Sequence, residues 1–216
     1  MRNWDNLNAA SDGLLAAAGL ARDAFVSCGV DFRLIGGLAL ELQGVDVGTK
    51  DIDFLVDEES FDTALQCLAD TGAVPQMTTE DGLRVNAREP SVYQFVGLDG
   101  IPRPVSFFRL GNVEIDLLGA TGPTEKNAME DVPWLTSTPK GIPVAPIQAI
   151  AAIKLAVGRT KDMAHVEMII AALGRQRAKI VSRYLRTQDR LRDMSELVEE
   201  WNAAVERTAA MQPKRR

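Results

Sequence analysis

Two aspartates interrupt an apolar run, DIDFLV at residues 51–56. Side chains alternate between the two faces of a β-strand, so Asp51 and Asp53 share one face with their Cα atoms about 6.6 Å apart, while Ile52 and Phe54 face a core. Aspartate is disfavoured in strands, and two adjacent carboxylates repel each other unless a cation lies between them. Oxygen ligands of this kind suit Mg²⁺. The run therefore predicts a strand that carries part of a metal site.

A second acidic strand follows at residues 113–118, where apolar residues alternate with Glu114 and Asp116. If this strand lies beside the first, Asp116 completes a three-carboxylate site for two ions about 3.5–4 Å apart. Glu114 points to the same face and is the rival third ligand. We predict Asp116 in this role.

A pair of glycines, Gly36 and Gly37, lies between a predicted strand at residues 32–35 and a helix-favouring stretch at 38–43. The amides and the positive dipole end of a helix N-terminus favour an anion, and glycine lets the backbone approach a phosphate closely. The alternative is that the pair forms an ordinary turn. The glycines alone do not separate the two interpretations.

The order of these features resembles the DNA polymerase β-like nucleotidyltransferase superfamily: two glycines, thirteen residues, the DID strand, then a distant acidic strand. Within it, the chain looks most like the minimal bacterial nucleotidyltransferases, which include abortive-infection toxins and small antibiotic-modifying enzymes. The resemblance covers residues 30–175 and continues through a helix and turn at 152–162. The chain departs from the pattern at Gly37, where many members carry Ser, and at Val47, where many carry Arg.

The resemblance implies a role for each of seven residues. The implied ligands of Mg²⁺ or Mn²⁺, which are also the catalytic residues, are Asp51, Asp53 and Asp116. The implied contacts of the nucleoside triphosphate are Gly36, Gly37, Lys154 and Arg159. For the last two, the alternative is a surface lysine and a cation that stabilises a helix C-terminus.

The expected activity is transfer of a nucleoside monophosphate from NTP to an acceptor hydroxyl, with release of pyrophosphate and with Asp116 as the base or a base-assisting ligand. We favour a macromolecular acceptor, tRNA or protein, which would suit a toxin with an antitoxin partner. A small molecule of the aminoglycoside type is the alternative acceptor. A different class of function is an inactive nucleotidyltransferase fold that only docks a partner.

The overall pattern predicts an α/β (α+β) fold, in which a mixed β-sheet core flanked by helices is followed by a C-terminal helical lobe. We expect the core at residues 1–120 and a loop plus the helical lobe at 121–216, packed together as one compact unit. The predicted strands are 32–35, 51–56, 91–96, 105–109 and 113–118. The predicted helices are 5–29, 38–43, 58–69, 147–157, 161–173, 178–189 and 195–209, and the stretch 119–143, with four prolines, is predicted to be loop-rich.

Charge is unevenly distributed in a chain of net charge −6. Residues 174–216 hold 11 Lys and Arg against 6 Asp and Glu, so the body is acidic and the C-terminal part basic. Arg175, Lys179 and Arg183 (or Arg186) recur at helical spacing and share a face. That face either contacts a polyanionic acceptor or is simply solvated.

The remaining expectations concern the environment of the protein. No apolar run reaches the roughly 18 residues of a membrane span, and nothing resembles a signal peptide. Cys28 and Cys67, with a single histidine, provide too few ligands for a Cys/His zinc site. We therefore expect reduced cysteines in or near the core of a cytoplasmic protein, and we expect His165 to be a surface or boundary residue.

Overall fold

The computed structural model describes residues 9–130, 141–192 and 196–211. The helices are α1 (Ala9–Ser27), α2 (Gly36–Glu41), α3 (Phe61–Asp70), α4 (Pro123–Glu130), α5 (Ile147–Val157), α6 (Thr160–Arg192) and α7 (Glu196–Met211). The strands are β1 (Phe32–Ile35), β2 (Asp51–Asp57), β3 (Val74–Thr78), β4 (Arg84–Asn86), β5 (Tyr93–Val96), β6 (Pro102–Leu110) and β7 (Val113–Ala120). The predicted mixed α/β fold is confirmed.

One mixed sheet contains all seven strands, in the order β1-β2-β7-β6-β3-β4, with β5 paired to β6. The pairing of β2 with β7 is parallel, and the other pairings are antiparallel. The chain beyond α4 returns to the outer edge of β1, where the Leu34 amide donates to the Pro143 carbonyl. The two acidic strands are therefore neighbours in the middle of the sheet, although some sixty residues separate them in sequence.

The face of the sheet opposite the aspartates packs against α1 and α3. Phe25 of α1 meets Phe32 of β1 and Phe54 of β2, with ring centroids 5.0–5.7 Å apart, and all three rings are buried. The period-2 pattern of β2 explains this arrangement, since its apolar residues lie on the core face and its aspartates on the other. Burial of these apolar residues fixes which way the aspartates point.

The helical part begins with α5, whose residues from Ala149 to Val157 are all buried. Gly158 ends this helix in the left-handed conformation, at φ 70°. The two helices predicted at 161–173 and 178–189 occupy the single span of α6, which is broken at Gly174 (φ 66°, ψ 168°). The side chain of Trp201 in α7 is 1% exposed within this lobe.

Three predictions need correction. The stretch 119–143 is not all loop, because Pro123 begins α4; proline suits the first turn of a helix, where its missing N–H costs nothing. Residues 131–140 of that stretch lie outside the described residues. Strands β3 and β4 were also not predicted; both are short and only partly buried.

The third correction concerns the cysteines, which are not reduced. Cys28 follows the end of α1, Cys67 lies in α3, and the two form a disulfide with their Cα atoms 6.6 Å apart. Because α1 and α3 pack side by side, residues distant in sequence come within the range that a disulfide spans. Cys28 is also exposed rather than in the core.

Among the described helices, none is long and apolar enough to cross a membrane.

Candidate active site

The structure brings the three predicted aspartates together. In the parallel pairing of β2 with β7, Asp53 lies opposite Asp116 and Asp51 lies opposite Glu114. Adjacent strands are about 4.8 Å apart, so the carboxylates occupy one small area of the sheet. The side chain of Asp116 is 16% exposed and that of Glu114 is 48% exposed, which makes Asp116 the better-enclosed third carboxylate.

A cavity of about 580 Å³ opens over this area. Its acidic side chains are those of Asp51, Asp53, Asp116 and Asp162, and its basic side chains are those of Arg84, Lys154, Arg159 and Lys161. An aromatic wall is formed by Tyr93, Phe95 and Phe107, which β5 and β6 contribute. The cavity thus combines a carboxylate floor with cations and aromatic rings, and its volume falls in the ~300–1,000 Å³ range of small-molecule sites.

Asp51 is held as a carboxylate. Thr49 Oγ1 donates to its Oδ1 at 2.6 Å, and Lys161 Nζ lies 3.9 Å from its Oδ2. Burial by itself would raise the pKa of Asp51, but the Thr49 hydrogen bond and the Lys161 charge lower it below the ordinary value. Asp51 is therefore ionised at neutral pH.

Asp53 lies in the most unfavourable position for a negative charge. Burial, then the charges of Asp116 and Asp51, raise the pKa of Asp53 to about 7, against the opposing charge of Lys154. Burial also raises the pKa of Asp116, although Arg84 acts in the other direction. A group of carboxylates with raised pKa values in a cavity is typical of a functional site.

Arg84 is a site residue that the sequence analysis missed. Its guanidinium donates to both oxygens of Asp116, at 2.7 and 3.0 Å, and to Glu114 Oε2 at 3.0 Å. It also lies over the Phe107 ring, 4.0 Å from the centroid. No pattern in the sequence indicates this contact, because it depends on how the short β4 strand folds over the sheet.

Lys154 and Arg159 both line the cavity, as Asp162 does. Lys154 is 7% exposed, and its Nζ donates to Asp162 Oδ1 at 3.1 Å, while Arg159 Nε donates to Oδ2 at 2.7 Å. Burial would raise the pKa of Asp162, but these two cations lower it overall. Lys154 is therefore not the surface lysine of the alternative interpretation.

The two glycines make close contacts with the site itself. Gly36 has φ +68°, and a Cβ on it would overlap the Asp53 carboxylate. A Cβ on Gly37 would lie 2.6 Å from Thr49 Cβ. Both positions therefore have a packing reason to be glycine, and their predicted contact with a triphosphate stays a prediction.

His165, expected at the surface or at its boundary with the core, lies in the wall of the cavity. It is 7% exposed, lines the cavity, and its Nδ1 has no hydrogen-bond partner in the described part of the chain. Burial, helped by the charges of Lys154 and Lys161, lowers its pKa to about 4, so the imidazole is neutral at pH 7.

The chemistry of the three carboxylates fits a hard divalent cation such as Mg²⁺ or Mn²⁺. Their present orientation does not form a cluster of ligands, since among the described residues no group of three or more His, Cys, Asp or Glu side chains could hold a metal ion. The physical reason is visible at Asp116, whose two oxygens face Arg84. The three carboxylates supply the oxygen ligands that such a cation takes, and Arg84 occupies both oxygens of one of them.

The structure does not bring the predicted basic face into the cavity lining. Lys179, Arg183 and Arg186 are exposed, and none of them lines the cavity; the side chain of Arg175 lies outside the described residues. The helical lobe does form a wall, but through residues 154–165.

Comparisons with known proteins are remote. No protein-family model matches the chain, and no curated protein matches it either. Similar solved structures include the antibiotic-resistance factor ANT(2'')-Ia, with 12% identity and a TM-score of 0.49 over 94% of this chain and 100% of that chain. Another is TM1012 of Thermotoga maritima, a provisionally assigned nucleotidyltransferase, with 16% identity and a TM-score of 0.49 over 86% of this chain and 99% of that chain.

Proposed function

We propose that this chain is a divalent-cation-dependent nucleotidyltransferase, which transfers a nucleoside monophosphate from NTP to an acceptor hydroxyl. The observation that supports this function most is that Asp53 lies in register with Asp116 on the adjacent strand, with Asp51 beside them. Lys154, Arg159 and Lys161 line the same cavity. A carboxylate floor alone would repel a triphosphate. Because cations line the same cavity, the carboxylate floor suits a bound divalent cation together with a polyphosphate.

Each group has a separate task in this proposal. When bound, the divalent cation supplies positive charge to the reacting phosphate and to the aspartates. Lys154, Arg159 and Lys161 neutralise the oxygens of the triphosphate. The aromatic wall of Phe95 and Phe107 provides flat apolar surface for the uncharged parts of the substrates.

The reaction balances within these groups. The acceptor O–H transfers its proton to Asp116, a carboxylate that lies in the cavity in register with Asp53. The acceptor oxygen forms a bond to the α-phosphorus as the bond to the bridging oxygen breaks. Pyrophosphate leaves with the bonding electron pair and is stabilised by the nearby cations.

Two classes of acceptor follow from different observations. The exposed residues Lys179, Arg183 and Arg186 favour RNA or another polyanion that extends beyond the cavity. A toxin role with an antitoxin partner would belong to this macromolecular class. The second candidate is a small hydroxylated molecule, which is favoured by a cavity of small-molecule size whose lining lacks that basic face.

The test is transfer of label from α-³²P-NTP and from γ-³²P-NTP to total RNA, total protein and an aminoglycoside panel, with Mg²⁺ or Mn²⁺. Nucleotidyl transfer labels the acceptor from the α-position only, whereas a kinase labels it from the γ-position. Asp53→Asn should abolish labelling. Asp57→Asn is the matched control, because Asp57 lies on the same strand outside the cavity lining. Labelling of one acceptor class identifies it, and γ-labelling would refute the proposal.

An inactive docking module is the competing function. It predicts that NTP with Mg²⁺ leaves the melting temperature unchanged, since only a ligand that binds the native state stabilises it. If NTP with Mg²⁺ raises the melting temperature of the native protein but not that of Asp53→Asn, the native chain binds nucleotide at this site. That result would exclude a module that has lost nucleotide binding.

A further inference from the structure

Arg84 occupies the side of Asp116 that a cation would need. It donates to both carboxylate oxygens of Asp116, and it reaches Glu114 as well. We propose that Arg84 is a built-in counter-ion that competes with the divalent cation for Asp116, so that metal binding requires its release. This inference rests on the metal site of the proposed function.

Arg84 is bound firmly enough to compete. A guanidinium that donates to both oxygens of a carboxylate makes a strong charge-assisted contact. The Arg84 side chain is 25% exposed, so solvent screens this contact only in part. The Phe107 ring supports its flat side at 4.0 Å. A cation that approaches Asp116 therefore meets both the positive charge of Arg84 and carboxylate oxygens that are already engaged.

Arg84 can also be released at little structural cost. It lies on β4, a three-residue strand at the end of the sheet, which pairs only with β3 among the described strands. The turn that connects them is fixed by its own bonds, from the Thr79 amide to the Leu83 carbonyl and from the Leu83 amide to Thr79 Oγ1. None of these bonds involves the Arg84 side chain, so its rotation away from Asp116 leaves the hairpin paired.

A buried arginine that only supported the fold would be placed differently. Arg103, at 0% exposed, illustrates that role: it bonds Asp99 and Glu125, and neither belongs to the cavity lining. Arg84 instead bonds the carboxylate that lies in register with Asp53. The position of Arg84 is therefore better explained by control of cation binding at Asp116 than by support of the hydrophobic core.

The test measures Mn²⁺ affinity by electron paramagnetic resonance in the full chain. Arg84→Gln should bind Mn²⁺ about tenfold or more tightly than the native protein, as a charge-assisted contact is worth roughly one to two orders of magnitude. Arg88→Gln is the matched control, since Arg88 is exposed nearby and loses the same charge. It should stay within about twofold of the native value.

The outcomes separate this inference from the proposed function. The inference would be overturned if the native, Arg84→Gln and Arg88→Gln proteins bound Mn²⁺ with equal affinity, or if Arg84→Gln bound it more weakly. Either result would still agree with a metal site at the aspartates. Absence of Mn²⁺ binding in all three would overturn the metal site, and the inference with it. Asp53→Asn shows whether any binding measured belongs to this site.

A second measurement uses the native protein and does not depend on the stability of a variant. The guanidinium ¹⁵N resonances of Arg84 should show hindered rotation without metal, because both terminal nitrogens are bonded to carboxylates. Saturating Mg²⁺ should restore fast rotation. Resonances that stay hindered at saturation would contradict release of Arg84.

Discussion

Replacement of Asp53 by Asn should stabilise the metal-free protein, and the gain should depend on pH. The variant keeps the shape of the side chain but removes a carboxyl group whose pKa is raised to about 7 by burial and by Asp116 and Asp51. In the folded protein this group holds its proton up to about pH 7, whereas in the unfolded chain it loses the proton near its ordinary value of 3.8. The native protein therefore loses stability as the pH rises from about 4 to 7, and little more above that.

The size of the effect follows from the same values. The pKa of Asp53 rises from 3.8 in the unfolded chain to about 7 in the folded protein, and each pKa unit corresponds to about 1.4 kcal/mol. Ionisation of Asp53 therefore lowers the free energy of unfolding by at most about 4 kcal/mol at pH 8. Because Asp53 is partly exposed to the cavity, water screens its charge, and we expect about 2–3 kcal/mol. Asn has no such cost. Because pH 4.5 is already about 0.7 unit above 3.8, the variant should be more stable than the native protein by about 1 kcal/mol at that pH, and by the full 2–3 kcal/mol at pH 8.

The assay is urea unfolding in EDTA at pH 4.5, 6, 7 and 8, followed by the fluorescence of tryptophan, including the buried Trp201. Asp57→Asn, on the same strand, is the control for the general effect of a removed carboxylate. A difference between Asp53→Asn and the native protein that is the same at every pH would refute the electrostatic reasoning. Unfolding of Asp53→Asn under all conditions would show that the carboxylate is structural.

Three further predictions concern other parts of the structure. Gly36→Ala should lower stability by at least about 1 kcal/mol, measured by urea unfolding, because of its positive φ and because the new Cβ overlaps the Asp53 carboxylate; unchanged stability would contradict this geometry. Lys154→Met should weaken NTP binding by about tenfold or more, measured by titration calorimetry, because it removes a buried cation that lines the cavity. Unchanged NTP affinity would show that Lys154 does not contact the phosphates. Cys28→Ser should lower the free energy of unfolding by about 3–4 kcal/mol under oxidising conditions, because the disulfide to Cys67 links residues 39 positions apart in sequence. Under reducing conditions the free energy of unfolding should hardly change. An equal loss under both conditions would show that the substitution acts through side-chain packing and not through the disulfide.

The sequence predicted most elements whose periodicity is strong. The strand that carries Asp51 and Asp53 and the strand that carries Asp116 both have period-2 alternation, and the structure has both as β2 and β7. Helix α5 was predicted with its observed bounds, because a long apolar run ends at a glycine. The strand β4 and helix α4 were missed, since each is short and its few apolar residues do not form a clear pattern.

The sequence predicted the carboxylates of the candidate site and two of its cations, Lys154 and Arg159. The alternation of aspartate with apolar residues indicated which carboxylates share a face, and the resemblance to a family added Lys154. The role of Arg84 was not predictable, because it follows from the fold of a hairpin against β6. Nor was the disulfide, because it depends on α1 and α3 packing side by side.

The sequence by itself determined the direction of each acidic side chain, since in a strand with one buried face the apolar residues must face the core. Tertiary structure decided what those carboxylates meet. The parallel pairing of β2 with β7 sets Asp53 against Asp116, and the β3–β4 hairpin brings Arg84 to the same carboxylate. Local pattern fixes the face of a residue because it depends on neighbours in the chain, whereas partners across the sheet depend on strand order and register, which local periodicity does not encode.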